Sequence, residues 1–188
     1  MKRISSALIT FAAVAFVAVA VALAPSTSSA QSAKPVSLGI SAGATIPISD
    51  LGNDYSTGYN GTVSLMFNSY GSPIGFRVDG MYNKLAAQSF VNLPDVTILS
   101  ANANIVYALP GVGIRPYLIG GAGVYGLKSD VNTAFTGSST ITKLGLNGGI
   151  GASFPLSGFN TFVEARYHYV FTDNVATQFI PVTFGIAF

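Results

Sequence analysis

The chain has 188 residues, of which 49% are hydrophobic and only 9% are charged, and it contains 21 Gly, 13 Phe, 9 Tyr and no Trp. Soluble domains carry about 25% charged residues, so this composition argues against a disordered chain, a coiled coil and a nucleic-acid-binding arm. The lack of Cys excludes disulfides and thiolate metal sites. The mean hydropathy of +0.51 indicates that apolar surface faces something other than water or a small core.

The first 30 residues have the features of an export signal. Lys2 and Arg3 form a positive start, Ile4–Ala24 is uncharged and rich in Ala and Val, and small residues lead to a predicted cleavage after Ala30. An uncleaved membrane anchor remains an alternative, because the apolar stretch is longer than the roughly 7–15 apolar residues of most signal peptides. We predict a signal peptide over residues 1–30 and one exported, formally neutral domain over residues 31–188.

A repeated pattern follows Pro35: about ten residues alternate between apolar and small or polar side chains, and a cluster of Gly, Asn, Asp, Pro or Ser comes next. The eight segments are Val36–Ile46, Tyr59–Phe67, Ile74–Lys84, Val96–Ala108, Ile114–Lys128, Thr140–Phe154, Thr161–Phe171 and Gln178–Phe188. Helices are a poor alternative, because Gly recurs inside the segments and costs about 1 kcal/mol at each helical site.

The connections between these segments alternate in length. The short ones are Asn68–Pro73, Leu109–Gly113 and Pro155–Asn160, and the longer ones are Pro47–Gly58, Leu85–Asp95 and Ser129–Ser139. The last connection, Thr172–Thr177, is short for a loop. Short turns at one end and longer loops at the other are typical of outer-membrane barrels. We therefore predict an all-β fold, an eight-stranded antiparallel up-and-down transmembrane β-barrel.

Each segment has an apolar and a polar face, since a strand points successive side chains to opposite sides. In the seventh segment, Glu164, Arg166 and His168 share the polar face, opposite Val163 and its apolar neighbours. A soluble sandwich would also alternate, but its wet face would carry more charges than this chain has. The fifth segment, Ile114–Lys128, is apolar or small on both faces in its central part, so the pattern does not orient it.

Aromatic residues gather at both ends of the apolar face. Near the short turns they are Phe67, Phe76, Tyr107, Phe154 and Phe188, and towards the longer loops they are Tyr59, Tyr82, Tyr169 and Phe171. Two aromatic bands around an apolar stretch are typical of a barrel in a lipid bilayer. The last band member also closes an alternating strand in which Phe184, Ile186 and Phe188 share a face. This ending resembles the assembly signal of bacterial outer-membrane barrels.

The chain resembles the small bacterial outer-membrane β-barrel family, with an OmpA- or OmpX-like fold, over about residues 34–188. The stretches that carry the likeness are Gly39–Pro47, Arg115–Tyr125, Phe162–Tyr169 and Ile180–Gly185. It implies a monomer in the bacterial cell outer membrane, inserted by the barrel-assembly machinery, with both termini in the periplasm. We expect the peptidoglycan-binding domain of full-length OmpA-type proteins to be absent. It does not imply one activity, because members include adhesins, anchors and small channels.

The densest polar groups lie opposite the apolar face: Arg77, Asp79, Asn102, Asn104, Lys143, Asn147, Glu164, Arg166 and His168. An Arg facing lipid at the membrane midplane would cost about 2–4 kcal/mol, so these side chains are predicted to fill the narrow interior of the barrel. Buried charges need partners. We predict a packed network whose three basic and two acidic residues sum to +1, and expect Arg166→Ala to destabilise the barrel by leaving Glu164 unpaired.

Alternative functions stay open. A narrow, low-conductance channel would need the interior charges to rearrange. A lipid-modifying enzyme would need His168 on the lipid face with a Ser two residues away, as in lipid A deacylase barrels, but Val170 stands there and His168 has the polar-face parity. A soluble lipocalin-like carrier would begin with a Gly-x-Trp motif, which this chain lacks. We predict a non-enzymatic protein with a structural or surface-interaction role.

Charged residues also mark the predicted outer rim. The rim lysines are Lys84, Lys128 and Lys143, and the outer loops carry Asp50, Asp54, Asp95, Asp130 and Asp173. One hypothesis is that the lysines contact lipopolysaccharide phosphates while the aspartates hold divalent cations. The simpler interpretation is that charges prefer wet loops and that lysines extend to the interface. The loops lack calcium-loop, phosphate-loop and paired-His patterns, so no cofactor is predicted.

Overall fold

The computed structural model describes residues 35–68, 71–89, 93–111, 113–129, 140–156, 158–173 and 175–188. The predicted signal peptide lies outside the described residues, and so does its boundary at residue 30. Within the described ranges, no helix is long and apolar enough to cross a membrane.

Eight strands form a closed barrel in which each strand pairs antiparallel with the next, and β1 pairs with β8. The strands are β1 Val36–Ile48, β2 Gly58–Asn68, β3 Ile74–Leu85, β4 Val96–Ala108, β5 Arg115–Ser129, β6 Thr140–Leu156, β7 Phe159–Val170 and β8 Thr177–Ala187. The predicted eight-stranded, antiparallel, up-and-down barrel is confirmed. The strand ends lie within two residues of the predicted segment ends.

One short helix, α1 Asp50–Asp54, lies in the β1–β2 connection and was not predicted. Ser49 precedes it with a φ of 54°, in the left-handed region that non-glycine residues seldom adopt. The Ser49 hydroxyl donates a hydrogen bond to Gln178 Oε1 on β8, at 3.1 Å. This contact ties the start of the helix to the barrel wall.

The barrel wall is apolar outside and polar inside. Leu144 is 67% exposed and Ile150 is 64% exposed, whereas Asp79 is 1% exposed and His168 is fully buried. This arrangement is the reverse of a soluble protein, in which charges face the solvent. All the aromatic residues of the two predicted bands lie on the outer wall and are exposed or half-buried.

The structure orients the fifth segment, which the sequence pattern left undecided. Tyr117, Ile119 and Tyr125 of β5 are buried in the interior, whereas Leu118 and Val124 are about half exposed on the outer wall. Odd-numbered positions of β5 therefore face inward. The face of β5 that points inward is set by the pairing register of β5 with β4 and β6. This register depends on how the barrel closes, so the alternation within β5 alone does not reveal it.

The last strand, β8, closes the barrel by pairing with β1, and the residues of the predicted assembly signal lie on its lipid-facing side. Phe184 and Phe188 are exposed and Ile186 is half-buried. The backbone N–H of Phe188 donates to Leu38 O at 2.9 Å, and Leu38 N–H donates to Phe188 O at 3.1 Å. The residues of the predicted assembly signal therefore lie at the seam between the first and last strands.

Candidate functional site in the barrel interior

Four charged side chains meet inside the barrel: Arg77 and Asp79 of β3, and Glu164 and Arg166 of β7. We call them the ion cluster. Arg77 Nη2 lies 2.7 Å from Glu164 Oε1, and Arg77 Nε lies 3.1 Å from Asp79 Oδ1. Arg166 Nη1 lies 2.7 Å from Asp79 Oδ2, and Arg166 Nε lies 2.8 Å from Glu164 Oε1. Because β3 and β7 are on opposite sides of the barrel, the cluster crosses the interior.

Two neutral side chains add hydrogen bonds to the carboxylates of the ion cluster. The Tyr117 hydroxyl donates to Glu164 Oε2 at 2.8 Å, and Asn104 Nδ2 donates to Asp79 Oδ2 at 2.8 Å. Each guanidinium touches both carboxylates, and the cluster is electrically neutral because its two positive groups balance its two negative ones. Pairing and hydrogen bonding of this kind are what allow charges to be buried.

Inward-facing glycines make room for the large side chains. A Cβ atom added to Gly151 would lie 2.2 Å from Tyr117 Cζ, and one added to Gly149 would lie 2.7 Å from Arg166 Cγ. Both glycines are on β6, between the strands that carry these two side chains. Large and small residues thus alternate across the interior, as they do in small barrels whose interior is filled by side chains.

An apolar layer closes the interior towards the end with the longer connections. Its buried residues, which we call the outer plug, are Leu85, Val96, Ile98, Tyr125, Val170 and Phe179. Leu51 of α1 and Tyr55 pack against it. His168 stacks on Phe179 with ring centroids 4.9 Å apart, and its Nδ1 is hydrogen-bonded to the Tyr125 hydroxyl at 2.8 Å. The interior is therefore filled at two levels.

The prediction that Lys143 belongs to the interior network is wrong. Lys143 lies near the start of β6, at the end with the longer connections, and its Nζ is 2.6 Å from Oδ1 of Asp173. The Asp173 side chain is 81% exposed, so the pair lies at the rim. Position along the strand, which face parity does not reveal, separates Lys143 from the ion cluster. The interior charge is accordingly zero and not +1.

Three other predicted residues point inward but have no hydrogen bond to the ion cluster among the described residues. Asn102 Nδ2 donates to Ser100 Oγ at 3.0 Å. Asn147 is buried beside His168 in the β6–β7 pairing. His168 belongs with the outer plug. Within the predicted set, ion pairs and hydrogen bonds join Arg77, Asp79, Asn104, Glu164 and Arg166.

Tyr117, Tyr125 and Phe179 were not predicted as interior residues. Both tyrosines are on the segment that the sequence pattern could not orient. A signal was present, because an antiparallel register places glycine-rich positions of β6 beside them: Gly151 pairs with Tyr117, and a Cβ on Gly145 would lie 2.8 Å from Tyr125 Cε2. Phe179 has the same parity as Thr183, opposite the apolar face of Ile180 and Val182, but an apolar side chain on that face gave no sign of its place in the interior.

The β1–β2 and β3–β4 connections are bound to each other above the outer plug. Gln88 N–H donates to Asp54 O at 2.9 Å, and the Tyr55 hydroxyl donates to Pro94 O at 3.4 Å. Burial raises the pKa of Tyr55, and the nearby carboxylates of Asp54 and Asp95 raise it further. The two connections thus form one docked surface.

Two of the three rim lysines are paired with loop aspartates. Lys84 Nζ lies 3.9 Å from Asp95 Oδ2, and Lys143 pairs with Asp173 as described above. Lys128 is exposed, and Asp130 lies outside the described residues. In the part of the chain that the structure describes, no group of three or more His, Asp or Glu side chains could hold a metal ion.

Residues 9–188 match the family described as the outer membrane protein beta-barrel domain. The chain belongs to this family. The protein is therefore located in the bacterial outer membrane, which agrees with the apolar outer wall of the barrel. In such barrels the short turns are periplasmic and the longer loops are extracellular, so the outer plug faces the cell surface.

Solved structures of outer-membrane barrels have the same fold. Neisserial surface protein A matches with a TM-score of 0.67 and 18% identity, covering 84% of this chain and 98% of that one. The attachment invasion locus protein Ail of Yersinia pestis matches with a TM-score of 0.51 and 20% identity, covering 81% and 97%. Such low identities show the fold alone. A comparison with curated protein sequences gave no match.

A third structural match is an enzyme, so the fold does not decide whether a barrel is catalytic. The outer membrane enzyme PagL matches with a TM-score of 0.51 and 15% identity, covering 80% of this chain and 97% of that one. In the present barrel the single His, His168, is fully buried between Tyr125 and Phe179. Its ring therefore does not reach the lipid-facing surface.

Proposed function

We propose that this outer-membrane barrel is non-enzymatic and has no open pore, and that it is a monomeric structural element whose outer loops meet partners at the cell surface. The observation that supports this best is the closure of its interior at two levels. The ion cluster spans the barrel from β3 to β7. The outer plug and the docked loops lie between it and the cell surface.

An ion would have to disrupt both levels to cross the barrel. An eight-stranded barrel has an interior just wide enough for side chains to fill, so no free path runs beside those side chains. At the ion cluster, passage would separate charges that are buried and paired, which costs several kcal/mol. At the outer plug, passage would need the rings of Tyr125, His168 and Phe179 to part.

The test is the conductance of the refolded barrel in a planar lipid bilayer. We expect the wild-type protein to show no unitary current steps. The double variant Tyr125→Ala/Phe179→Ala opens the outer plug and serves as the comparison, once a heat-modifiability gel shows that it is folded. Regular current steps from the wild-type barrel would contradict the proposed closure, whether or not the double variant changes them.

The second candidate is the narrow, low-conductance channel. The observation in its favour is that buried polar atoms in the interior, including Asn60 Oδ1, Asn102 Oδ1 and His168 Nε2, have no hydrogen-bond partner among the described residues. Such atoms commonly bind water, and a line of waters could carry ions. The same bilayer experiment separates the two candidates, because only a channel gives wild-type current.

We also propose that the outer rim contacts lipopolysaccharide through Lys84, Lys128 and Lys143. Basic side chains near a membrane surface attract anionic headgroups. The three lysines lie at the end of the barrel that the outer plug closes. The variant with all three lysines replaced by Gln should bind less lipopolysaccharide. Arg115→Gln, which removes a positive charge from the opposite rim, is the control. Equal binding of lipopolysaccharide by the two variants would contradict the proposed rim contact.

A further inference from the structure

The charged residues outside the ion cluster are unevenly distributed between the two ends of the barrel. At positions 35–188 they are Asp50, Asp54, Lys84, Asp95, Arg115, Lys128, Asp130, Lys143 and Asp173. All except Arg115 lie in the outer connections or near the strand ends that adjoin them. Residues 68–74, 109–114 and 155–160, which span the three short turns, include no Asp, Glu, Lys or Arg. Arg115 has the inward parity of Tyr117 on β5, so it does not face the lipid.

Two of the three short turns expose large apolar side chains. These are Leu109 and Ile114 at the β4–β5 turn, and Leu156 and Phe159 at the β6–β7 turn, with exposed fractions from 36% to 53%. We call these four residues the turn patch. Because β4, β5, β6 and β7 are consecutive around the barrel, the turn patch lies on one side of its periplasmic end.

The turn patch continues the lipid-facing wall. Leu109 N–H donates to Pro116 O at 2.8 Å, which extends the pairing of β4 with β5 by one more residue pair. Leu109 therefore has the outward parity of Tyr107, two residues before it. Leu156 has the outward parity of Phe154 in the same way. No change of face separates the patch from the wall that lipid covers.

The depth of the turn patch places it among lipid headgroups. Tyr107 and Phe154 belong to the aromatic band, which marks the periplasmic edge of the hydrocarbon layer. Leu109 and Leu156 are each two residues farther on, which is roughly 5 Å nearer the periplasm at about 3.3 Å per residue and a strand tilt of about 40°. The headgroup region adds about 5–7 Å on each side of the hydrocarbon core. The patch thus reaches the headgroup region and does not extend beyond it.

The third short turn, between β2 and β3, differs from the other two. Its exposed residues include Asn68 and Ser72, which are polar. Ile74 is also exposed, but it is directly opposite Tyr107 in the register of β3 with β4. Ile74 therefore lies at the level of the aromatic band and not beyond it. The apolar surface beyond the band is confined to the β4–β7 side.

We propose that the turn patch is embedded in the headgroup layer of the periplasmic leaflet and anchors the β4–β7 side of the barrel there. The partner is the phospholipid surface, because the patch is continuous with the lipid-facing wall and the turns that carry it are uncharged. Embedding removes apolar area from water, as it does for amphipathic helices at a membrane surface. Ion conduction would neither support nor contradict this anchoring, because the patch faces away from the interior.

Single-cysteine variants test the embedding, because the chain has no Cys of its own. Leu156→Cys places a thiol in the turn patch, and Ser72→Cys is the matched control in the polar turn. Val175→Cys is the reference for water, since Val175 is 50% exposed in an outer connection. Each variant is refolded into phospholipid nanodiscs, which leave both ends of the barrel open to solution. A heat-modifiability gel shows that it is folded, and reaction with a polyethylene-glycol maleimide is followed as a gel shift.

Burial among lipids disfavours the thiolate, which is the form that reacts with maleimide, so we expect Leu156→Cys to react about tenfold more slowly than Ser72→Cys and Val175→Cys. In urea the three variants should react equally, which would show that location causes the difference. Equal rates for folded Leu156→Cys and Ser72→Cys would overturn the proposal. Slow labelling of Leu156→Cys in native outer membranes with fast labelling in nanodiscs would also overturn it, because a protein would then cover the patch.

A second measurement identifies lipid as the neighbour of the turn patch. The chain has no Trp, so Phe159→Trp gives a single fluorophore in the patch. We expect phospholipid brominated on the upper acyl chain to quench it nearly as much as Phe76→Trp, whose side chain is 60% exposed on the lipid-facing wall. Aqueous iodide should quench it less than Val175→Trp. Lipid quenching no greater than that of Val175→Trp would overturn the proposal, whatever the cysteine rates.

Discussion

Replacement of Arg166 by Met tests whether charge pairing in the ion cluster stabilises the barrel. The Arg166 guanidinium lies 2.7 Å from Asp79 Oδ2 and 2.8 Å from Glu164 Oε1. Met is flexible and keeps much of the side-chain volume, so the change removes a charge with limited loss of packing. It leaves two buried carboxylates that share the single guanidinium of Arg77.

Removal of one partner from a buried ion pair costs about 3–5 kcal/mol. We expect the lower end, about 3 kcal/mol, because Arg77 still touches both carboxylates and because Tyr117 and Asn104 keep their hydrogen bonds to them. With a urea dependence of about 1–3 kcal/mol per molar, the unfolding midpoint should fall by roughly 1–3 M.

The assay is urea unfolding of the barrel in phospholipid vesicles, followed by the mobility difference between folded and unfolded protein on gels. The double variant Arg166→Met/Glu164→Gln restores a neutral interior and should recover part of the loss. Lys143→Met is the control, because its pair with the exposed Asp173 contributes at most about 1 kcal/mol. A midpoint for Arg166→Met no lower than that of the control would refute the reasoning.

Three further variants test other parts of the barrel. Gly151→Ala should cost about 1–3 kcal/mol in urea unfolding, since the added Cβ would lie 2.2 Å from a tyrosine ring, whereas Gly148→Ala on the lipid-facing side of the same strand should be neutral. Phe188→Ala should leave less folded barrel in the outer-membrane fraction than Phe67→Ala, and equal amounts would contradict an assembly signal at the seam. Docking of the outer loops should persist below pH 10.0, the ordinary pKa of tyrosine, and weaken at higher pH as Tyr55, whose pKa is raised, loses its proton. Loop cleavage by a protease should therefore accelerate above that pH in wild type, and much less in Tyr55→Phe.

The strands were predictable because their signal is local. Side chains that alternate with a period of two, separated by turn residues, mark a strand wherever its partners lie. For the same reason the face of Glu164, Arg166 and His168 could be assigned before any pairing was known. The short helix α1 has no comparable signal, because five residues are too few to show a helical period.

The composition of the ion cluster was only partly predictable. Parity shows which residues share a face, but it does not show their depth along the strand or their neighbours across the barrel. Lys143 has the inward parity and still pairs with Asp173 at the rim. Tyr117 was missed because the segment around it is apolar or small on both faces.

The amino-acid sequence by itself determined that this chain builds eight amphipathic strands with an apolar outer wall, since composition, alternation and turn residues all act over short distances. Only the closed barrel decided which of the inward side chains meet. Arg77 and Glu164 are 87 residues apart and approach to 2.7 Å because β3 and β7 lie on opposite sides of a narrow interior. Closure of the barrel also determines which face of β5 points inward and places His168 against Phe179. The register between neighbouring strands fixes how deep each side chain lies in the interior, and side chains at the same depth come into contact.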